Sequence, residues 1–450
     1  MSTLDMRSGS LLKKIILFTI PVFVSGFIQN LFNAADMIVV GNFAGSKYLA
    51  AVGATGSLCN TLINFFIGLS VGCGVTASHF FGSDDDEKLS RVINMSFYSA
   101  IVVGIFLAIV GNVLAEPLLK LIKTPNDILP YSVRYLKIFF LGMPANMVFN
   151  FMYSVSRSVG DTKRPMIYIT LAGIINVILN LVFVIGFKMN VDGVATATII
   201  SQYASATAIT YAFTKEHYPL KLDLKDFSFD FSIIKRIFMV GLPAGIQSTV
   251  IGVTNTIIQS AVNFFGSSAV AGYSAGTNIG GFVYVALNSV YHTSITMTAQ
   301  NYGNKDMARV KKGLFMSLGV VTIIGIIVCS LGVIFKVPLI KLYTTDAKSI
   351  EAGIVYYNIV IRTYLLCGIM EVMTGCLRGL GKSLEAMFIT LTGMAGIRIL
   401  WNFLVLPLNN TLENVFIAYP ITWIITITIF SVRLYIVIRN LEKSLANNSL

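Results

Sequence analysis

Charged residues are scarce in this chain, and their scarcity excludes most soluble folds. Only 12% of the 450 residues are Asp, Glu, Lys or Arg, whereas 55% are hydrophobic. A soluble globule of this length usually has about a quarter of its residues charged. Because so little polar surface is available, we predict a membrane protein whose apolar side chains face lipid.

Paired cysteines and nucleotide-binding loops are also absent from the sequence. The five cysteines lie in apolar stretches without Cys-x-x-Cys spacing, so we interpret them as small buried hydrophobic residues. No Gly-x-x-x-x-Gly-Lys-Ser/Thr loop occurs, which excludes an ATPase of that type. No nucleophile–base pair or metal cluster suggests an enzyme, and we predict no cofactor. Any work done by such a chain would draw on a source other than ATP hydrolysis by such a loop, for example an ion gradient.

Long apolar runs take the place of the missing charges. A bilayer core of about 30 Å needs about 20 apolar residues per helix, and a helix satisfies every backbone polar group in lipid. We therefore predict an all-α membrane protein with twelve transmembrane helices. They cover approximately residues 15–40, 48–78, 92–115, 131–156, 165–187, 194–213, 235–262, 270–299, 313–335, 353–377, 385–408 and 415–438.

The sequence contains an internal repeat, in which short segments of the first half recur in similar form 221 residues later. For example, Arg-Ser-Val-Gly at 157–160 recurs as Arg-Gly-Leu-Gly at 378–381. Internal repeats of this kind in membrane chains are typical of transporters. We predict two pseudo-symmetric six-helix lobes, residues 1–213 and 235–450, joined by a cytoplasmic linker over residues 214–234.

Basic residues predict the orientation in the membrane. With the N-terminus inside, the cytoplasmic segments hold 22 of the 33 Lys and Arg, the outer segments hold nine, and Arg362 and Arg398 lie within helices. Basic residues accumulate on the cytoplasmic side. We therefore predict a multi-pass protein of the plasma (inner) membrane with both termini in the cytoplasm. Topology explains the net charge of +12, so we expect the lipid bilayer as a partner and no nucleic acid.

Two carboxylates, Asp36 and Glu371, lie within predicted helices, whereas the other 19 acidic residues lie in loops, at helix ends or near the termini. A carboxylate at membrane depth costs a few kcal/mol, about 2.5–3.5 on insertion scales, and normally faces the protein interior or a water-filled cavity. Gln29, Asn33 and Asp36 are spaced i, i+4, i+7, so they share one face of the first helix. Asp36 therefore has polar neighbours on its own helix.

Neutral oxygen atoms elsewhere in the first half could complete a site around Asp36. Asn176 and Asn180 share a face of the fifth helix, and Thr198 lies on the sixth. One carboxylate with amide and hydroxyl oxygens could ligate Na⁺, or it could hold a proton near neutral pH when removed from water. We predict a cation-coupling site for H⁺ or Na⁺ at Asp36, Asn180, Asn176, Thr198 and Asn33. The alternative is helix packing, because Asn and Gln often join transmembrane helices through hydrogen bonds.

Four further polar residues are predicted to line a substrate cavity: Gln29, Asn255, Gln259 and Glu371. Asn255 and Gln259 share one face of the seventh helix. Glu371 has a structural alternative, since it could form an internal ion pair with an intramembrane arginine. We weigh these two roles of Glu371 evenly.

Four segments of the chain resemble the multidrug and toxic compound extrusion (MATE) family, and the likeness extends from about residue 10 to 438. They are Asn-Ala-Ala-Asp-Met-Ile-Val-Val-Gly at 33–41, Arg-Ser-Val-Gly-Asp-Thr-Lys-Arg-Pro at 157–165, Asn-Val-Ile-Leu-Asn-Leu-Val-Phe at 176–183, and residues 193–202. The resemblance implies two six-helix lobes in a V around a central cavity, which rock between inward- and outward-facing states. It also implies export of small organic cations, often aromatic, driven by inward H⁺ or Na⁺. We expect the protein to act as a monomer.

The resemblance also assigns roles to individual residues. Asp36 falls where the family has an acidic residue in the cation site of the N-lobe, and Asn176 and Thr198 match neutral ligands of that site. Asn180 stands where many members have a second Asp, so this chain has one negative charge fewer. The departure favours H⁺ over Na⁺ as the coupling ion.

Some members carry acidic residues in the second lobe, and this chain lacks them at the matching positions. Ile251 stands in place of a Glu of the seventh helix, and Cys367 in place of an Asp of the tenth, with Glu371 about one turn away. We therefore place the coupling site in the first lobe.

Two other functions compete with multidrug export. A lipid-linked saccharide flippase of the same superfamily would be expected to need more helices or a cavity rich in Arg and Lys for pyrophosphate. A channel or a non-transporting membrane scaffold is the other alternative. Duplicated lobes with a buried carboxylate argue against the channel and the scaffold.

Overall fold

Helices make up nearly all of the described chain, as its apolar runs predict. The computed structural model describes residues 4–226 and 229–447, and no strand occurs among them. The helices of the first half are α1 (Leu11–Val39), α2 (Ser46–Gly82), α3 (Asp86–Leu121), α4 (Leu129–Leu141), α5 (Met143–Ser158), α6 (Lys163–Asn180) and α7 (Asn190–Thr214). Those of the second half are α8 (Phe231–Asn263), α9 (Ser267–Gly303), α10 (Met307–Ile334), α11 (Lys336–Lys341), α12 (Ala347–Tyr356), α13 (Arg362–Gly379), α14 (Ser383–Thr390), α15 (Ile397–Leu400) and α16 (Leu412–Asn447).

Ten of the twelve predicted spans have the length and apolar composition needed to cross a membrane. Among the described residues nine helical segments meet this requirement alone, and the pair α4 and α5, bent by 48°, makes a tenth. The predicted spans 194–213 and 270–299 form helices α7 and α9, which are too polar to qualify. In α9 the polar side chains Thr293, Ser294 and Gln300 are fully buried, so they do not face lipid. The predicted all-α membrane fold is confirmed.

Four predicted spans are interrupted rather than continuous α-helices, and one of them, 165–187, contains a π-helical turn at Leu181–Gly186. The span 131–156 breaks at Gly142, because Pro144 in the first turn of α5 lacks an amide hydrogen and disfavours a helical residue before it. The span 353–377 contains a π-helical turn at Tyr357–Ile361, and the span 385–408 contains another at Leu391–Gly396. These interruptions leave the order of the predicted spans unchanged.

The duplication is visible in matching backbone conformations. Helices α2 and α9 are both 37 residues long, and each follows a glycine with positive φ, Gly45 at 104° and Gly266 at 89°. Only glycine adopts such conformations readily. Helices α3 and α10 both begin after a capping aspartate, Asp85 and Asp306, which accepts a hydrogen bond from the backbone amide three residues later. The two halves therefore fold alike even in their turns.

Contacts divide the chain into two units whose boundaries lie inside α1 and α8. The first unit is built on Val24–Gly241, and the second on Asp5–Phe23 with the residues from Leu242 onward. Each unit has its own buried apolar core. The units differ from the predicted lobes, 1–213 and 235–450, because the start of α1 groups with the second half and the start of α8 groups with the first. The predicted linker belongs to the first unit.

Close contacts explain why these helix ends group as they do. In the first unit a Cβ on Gly72 would lie 2.0 Å from the Ile237 carbonyl oxygen, and a Cβ on Gly241 would meet the α2 backbone at 2.2 Å. The start of α8 therefore packs on α2 backbone to backbone. In the second unit the hydroxyl groups of Thr19 and Thr293 lie 2.8 Å apart and join the start of α1 to α9. Small and hydroxyl residues are the usual means of joining transmembrane helices.

Candidate functional site

Asp36 begins a chain of hydrogen-bonded polar side chains in the first unit. Asn180 donates through Nδ2 to Asp36 Oδ1 at 2.6 Å and to Asn176 Oδ1 at 3.1 Å. Asn176 donates to Thr198 Oγ1 at 3.4 Å, and Thr198 donates to the Val194 carbonyl oxygen at 2.9 Å. The structure thus brings together four of the five predicted coupling residues, from helices α1, α6 and α7.

Close packing of α1 on α6 lets Asn180 reach Asp36. Gly173 lies about one turn before Asn176 on α6, and Phe32 lies one turn before Asp36 on α1. A Cβ on Gly173 would lie 1.7 Å from the Phe32 ring, so the missing side chain leaves room for that ring. Asn176 and Asn180 are one turn apart on α6 and present their amides to the same side.

A π-helical turn, which is wider than an α-helical turn, follows each of the helices α1 and α6. A π-helical turn continues α1 over Val40–Ala44, and another continues α6 over Leu181–Gly186. The second begins directly after Asn180. Such turns frequently occur at functional sites, because they change which side chains share a helix face.

The site carries one negative charge among neutral groups. Asn176 and Asn180 are buried, and Asp36 is half-buried. In the described part of the chain no Lys, Arg or His pairs with Asp36. The Asn180 oxygen Oδ1 is buried and accepts no hydrogen bond from a described residue. A carboxylate among amide and hydroxyl groups suits a proton or a small hard cation.

Two predicted residues on α1 lie outside this chain of hydrogen bonds. Asn33 and Gln29 have exposed side chains, and neither bonds to the Asp36 group within the described ranges. They precede Asp36 by about one and two helical turns. The structure therefore places Asn33 beside the coupling residues and not among them.

The polar residues of α8 lie on one accessible face, as their spacing predicts. Asn255 is exposed and Gln259 is half-buried. Gln259 donates through Nε2 to Asn263 Oδ1 at 3.0 Å. The side chains of Asn255, Gln259 and Asn263 therefore form a polar surface of amide groups within the second unit.

Glu371 lies half-buried on α13, and among the described residues no ion pair joins it to Arg362, Arg378 or Arg398, although the charge of Arg378 acts on it from a distance. Arg378 instead donates to Gln247 Oε1 at 2.7 Å. The internal Glu–Arg pair that competed with a cavity role does not form in the described chain. Glu371 remains a carboxylate at predicted membrane depth.

Two buried arginines were not predicted from the sequence, because both lie just beyond the ends of predicted spans. Arg157 and Arg378 are only 7% and 4% exposed. The Arg157 guanidinium lies 4.3 Å from the centre of the Tyr153 ring, and Arg378 donates to the Tyr291 hydroxyl. The signal was present in the sequence, because both arginines belong to the motif that recurs in the two halves.

Comparison with known proteins supports both the repeat and the fold. The family model described as MatE matches residues 21–182 and, over an equal length, residues 243–404. Among solved structures, an outward-facing multidrug resistance MATE family transporter of the MOP superfamily aligns with a TM-score of 0.91. A MOP superfamily transporter from Pyrococcus furiosus aligns at 0.92. Each is 20% identical and covers 98% of this chain and 99% of its own, so the likeness is one of fold.

Two curated relatives extend over most of the sequence. The probable multidrug resistance protein YoeA of Bacillus subtilis is 25% identical over 420 residues, which is 91% of this chain and 90% of YoeA. The multidrug export protein MepA of Staphylococcus aureus is 24% identical over 369 residues, 81% of either chain. Since the family model covers most of both halves, the chain belongs to the MatE family of multidrug efflux transporters.

Proposed function

We propose that this protein is a cation-coupled antiporter that exports small organic cations by alternating access. The observation that supports it most is the Asp36–Asn180 hydrogen bond, at 2.6 Å, in a group with no cationic side chain. A carboxylate at membrane depth without a counter-charge must be compensated by a proton or a bound cation. Exchange of that cation is what links the site to a gradient.

The proton is the coupling ion that we favour, and Na⁺ is the alternative. Asp36 is the one carboxylate of the hydrogen-bonded group, and a proton needs no further ligand. Na⁺ would need several oxygen atoms, and in this structure the Asn180 amide directs Nδ2 toward Asp36 and Asn176. Its amide would have to turn before Oδ1 could join a Na⁺ site with the Asp36 carboxylate and the oxygens of Asn176 and Thr198.

Two observations support the substrate class that we propose, the family of the chain and the environment of Glu371. Relatives such as MepA are named as multidrug export proteins. A half-buried carboxylate without an ion pair would attract a cationic compound, and the amides Gln29, Asn255 and Gln259 would offer hydrogen bonds to its polar groups. We propose small organic cations as substrates, handled by a monomer in the plasma (inner) membrane with both termini in the cytoplasm.

Transport by Asp36→Asn in membrane vesicles tests the coupling role. The amide keeps the shape of the side chain but cannot exchange a proton, so we expect loss of transport driven by a pH gradient while expression and thermal stability remain close to normal. The matched control is Asp127→Asn, which makes the same chemical change in an exposed loop and should leave transport intact. Full gradient-driven transport by a stably folded Asp36→Asn protein would refute the proposal.

Repeating the assay with an imposed Na⁺ gradient separates the two ions. We expect the unmodified protein to respond to the pH gradient at nominally zero Na⁺. A steep requirement for Na⁺ with no response to pH would show that Na⁺ is the coupling ion.

A further inference from the structure

A buried arginine of the second unit has no anionic partner among the residues that the structure describes. Arg398, in the short helix α15, is 1% exposed. Its Nε donates to Thr422 Oγ1 at 3.1 Å. Its guanidinium carbon lies 4.2 Å from the centre of the Tyr419 ring and 5.7 Å from that of Trp423. Aromatic faces attract a cation but do not neutralise it.

The charge of Arg398 needs compensation. Arginine stays protonated in proteins, and in the described ranges no Asp or Glu forms an ion pair with this side chain. Removing an ion from water is costly even after the protein relaxes. An uncompensated guanidinium inside a membrane protein therefore points to an anion that the chain itself does not supply.

Hydrogen-bond donors around Arg398 are left unsatisfied. Arg398 Nη2 and the indole Nε1 of Trp423 are buried, and neither has a partner among the described residues. Asn402, four residues after Arg398, also has both amide atoms buried, and neither atom has a partner in the described part of the chain. Buried donors without partners are rare and costly in folded proteins. The side chains of Arg398 and Trp423, which carry two of these donors, lie next to each other, with the guanidinium carbon 5.7 Å from the ring centre.

Aromatic side chains enclose this group. Tyr364 lies 5.3 Å and Tyr419 5.7 Å from Trp423, measured between ring centres, and the Tyr419 hydroxyl lies 3.3 Å from that of Tyr273. Trp423 is 2% exposed. The low dielectric of such a buried environment strengthens any electrostatic attraction inside it. It also limits the space, which suits a small ion better than a large one.

The internal repeat places this cluster where the first unit has its coupling site. At the offset of 221 residues, Tyr419 corresponds to Thr198, and Ile257 corresponds to Asp36. Arg398 lies one residue beyond the position that matches Asn176. The coupling site of the first unit thus contains a carboxylate, whereas the corresponding region of the second unit contains a guanidinium from a neighbouring position.

We propose that Arg398, Thr422 and Trp423 form a binding site for a small monovalent anion. The ligand is either chloride or the carboxylate of a small organic acid, since both accept N–H hydrogen bonds and carry one negative charge. This site is separate from the proposed coupling site, and its occupation does not depend on which cation drives transport.

Tryptophan fluorescence offers a direct test, because the chain has only two tryptophans. Trp401→Phe leaves Trp423 as the sole reporter, in purified full-length protein. Bromide, a heavy-atom quencher, is added at constant ionic strength with gluconate as the replaced anion. We expect saturable quenching that chloride, acetate or both reverse. Reversal by chloride identifies a halide site, and reversal by acetate alone identifies a carboxylate site.

Variants of arginine decide whether the anion binds where the structure indicates. Arg398→Gln should weaken the apparent bromide affinity by about tenfold or more, since a charge-assisted hydrogen bond is lost. Arg362→Gln is the matched control, because Arg362 is exposed on α13, and it should not change the affinity. Quenching that is linear in bromide, or equal in the two variants, would overturn the proposal.

A ligand-side control covers the case in which Arg398→Gln fails to fold. Acetate is compared with acetamide, its neutral isostere, in protein that retains Arg398. If acetate reverses the quenching, we expect no reversal by acetamide, because only the anion compensates the guanidinium. Equal reversal by the two compounds, or no reversal by chloride or acetate, would contradict an anion site.

Discussion

Asn180 is the residue that we expect to decide which ion is coupled. It offers Asp36 an amide dipole, whereas a second carboxylate would add a full negative charge. For Asn180→Asp we expect at least about a tenfold gain in apparent Na⁺ affinity, because two carboxylates compensate a hard cation better than one. The measurement is the initial transport rate in vesicles against Na⁺ concentration at fixed pH.

Asn126→Asp is the matched control for this change. It adds the same charge in an exposed loop, so it should leave the Na⁺ dependence as it is in the unmodified protein. The same Na⁺ response in both variants would mean that net charge, and not the Asp36 group, sets the ion preference.

Gly173 controls how closely α1 and α6 approach each other. A side chain at this position would displace the Phe32 ring and push α1 away from α6. Overpacking typically costs about 1–3 kcal/mol. We expect Gly173→Leu to lower the transport rate severalfold or more by lengthening the Asp36–Asn180 hydrogen bond. Transport in vesicles, normalised to folded protein, measures the effect.

Two further variants identify the cause of that loss. Gly186→Leu adds the same side chain in the π-helical turn after α6, where a Cβ would have no neighbouring atom within 4 Å, and should have little effect. Phe32→Ala in the Gly173→Leu background removes the ring and should restore part of the rate. If Phe32→Ala gives no rescue, the steric account of Gly173 is wrong.

The caps of α3 and α10 should contribute equally to stability, because Asp85 and Asp306 hold equivalent places. We expect Asp85→Ala and Asp306→Ala each to lower the free energy of unfolding by about 1 kcal/mol. The hydrogen bond from Lys88 lowers the pKa of Asp85 below its ordinary value, an effect that burial only partly opposes. Thermal unfolding in detergent measures each loss.

The sign of the pH effect follows from that lowered pKa. The stabilisation by Asp85 is present above the unfolded-state pKa of about 3.9 and is lost as the pH falls through the lower folded-state pKa. The difference between the unmodified protein and Asp85→Ala should therefore shrink in strong acid. Asp127→Ala, a change in an exposed loop, should show no such difference at any pH.

Labelling of introduced cysteines with a maleimide tests the predicted orientation of the protein in the membrane. The five native cysteines are buried, so a membrane-impermeant maleimide should give little background. We expect Lys221→Cys, in the segment before α8, to react only when the reagent is inside. Lys348→Cys, in the first turn of α12, should react only from outside. Labelling of both from one side, or with the sides reversed, would contradict the predicted topology.

Much of the architecture could be predicted because composition and period act locally. Apolar runs of helical length predict helices in a bilayer, and the repeat offset predicts two similar halves. The spacing of Asn176 and Asn180 predicts a shared face, since four residues make about one turn. Chain order alone could not show that Asn180 reaches Asp36, because that contact depends on the packing of Gly173 against Phe32.

Other features depended on long-range packing. The grouping of the starts of α1 and α8 with the opposite halves follows from contacts such as Gly72 with α8, which join residues far apart in the chain. Burial of Arg157 and Arg378 likewise depends on neighbours from other helices. The exposed side chain of Asn33 shows that one helix face can hold both a site residue and its unpaired neighbour.

The class of protein, the helices, the duplication and the intramembrane carboxylate could therefore all be predicted from the sequence, because each depends on the composition or spacing of nearby residues. The tertiary structure alone decided which polar groups meet and which stay without partners. Arg398 is the clearest case. Its position in a predicted span was evident, but its burial against Tyr419 and Trp423 without a carboxylate is a result of packing between α15 and α16.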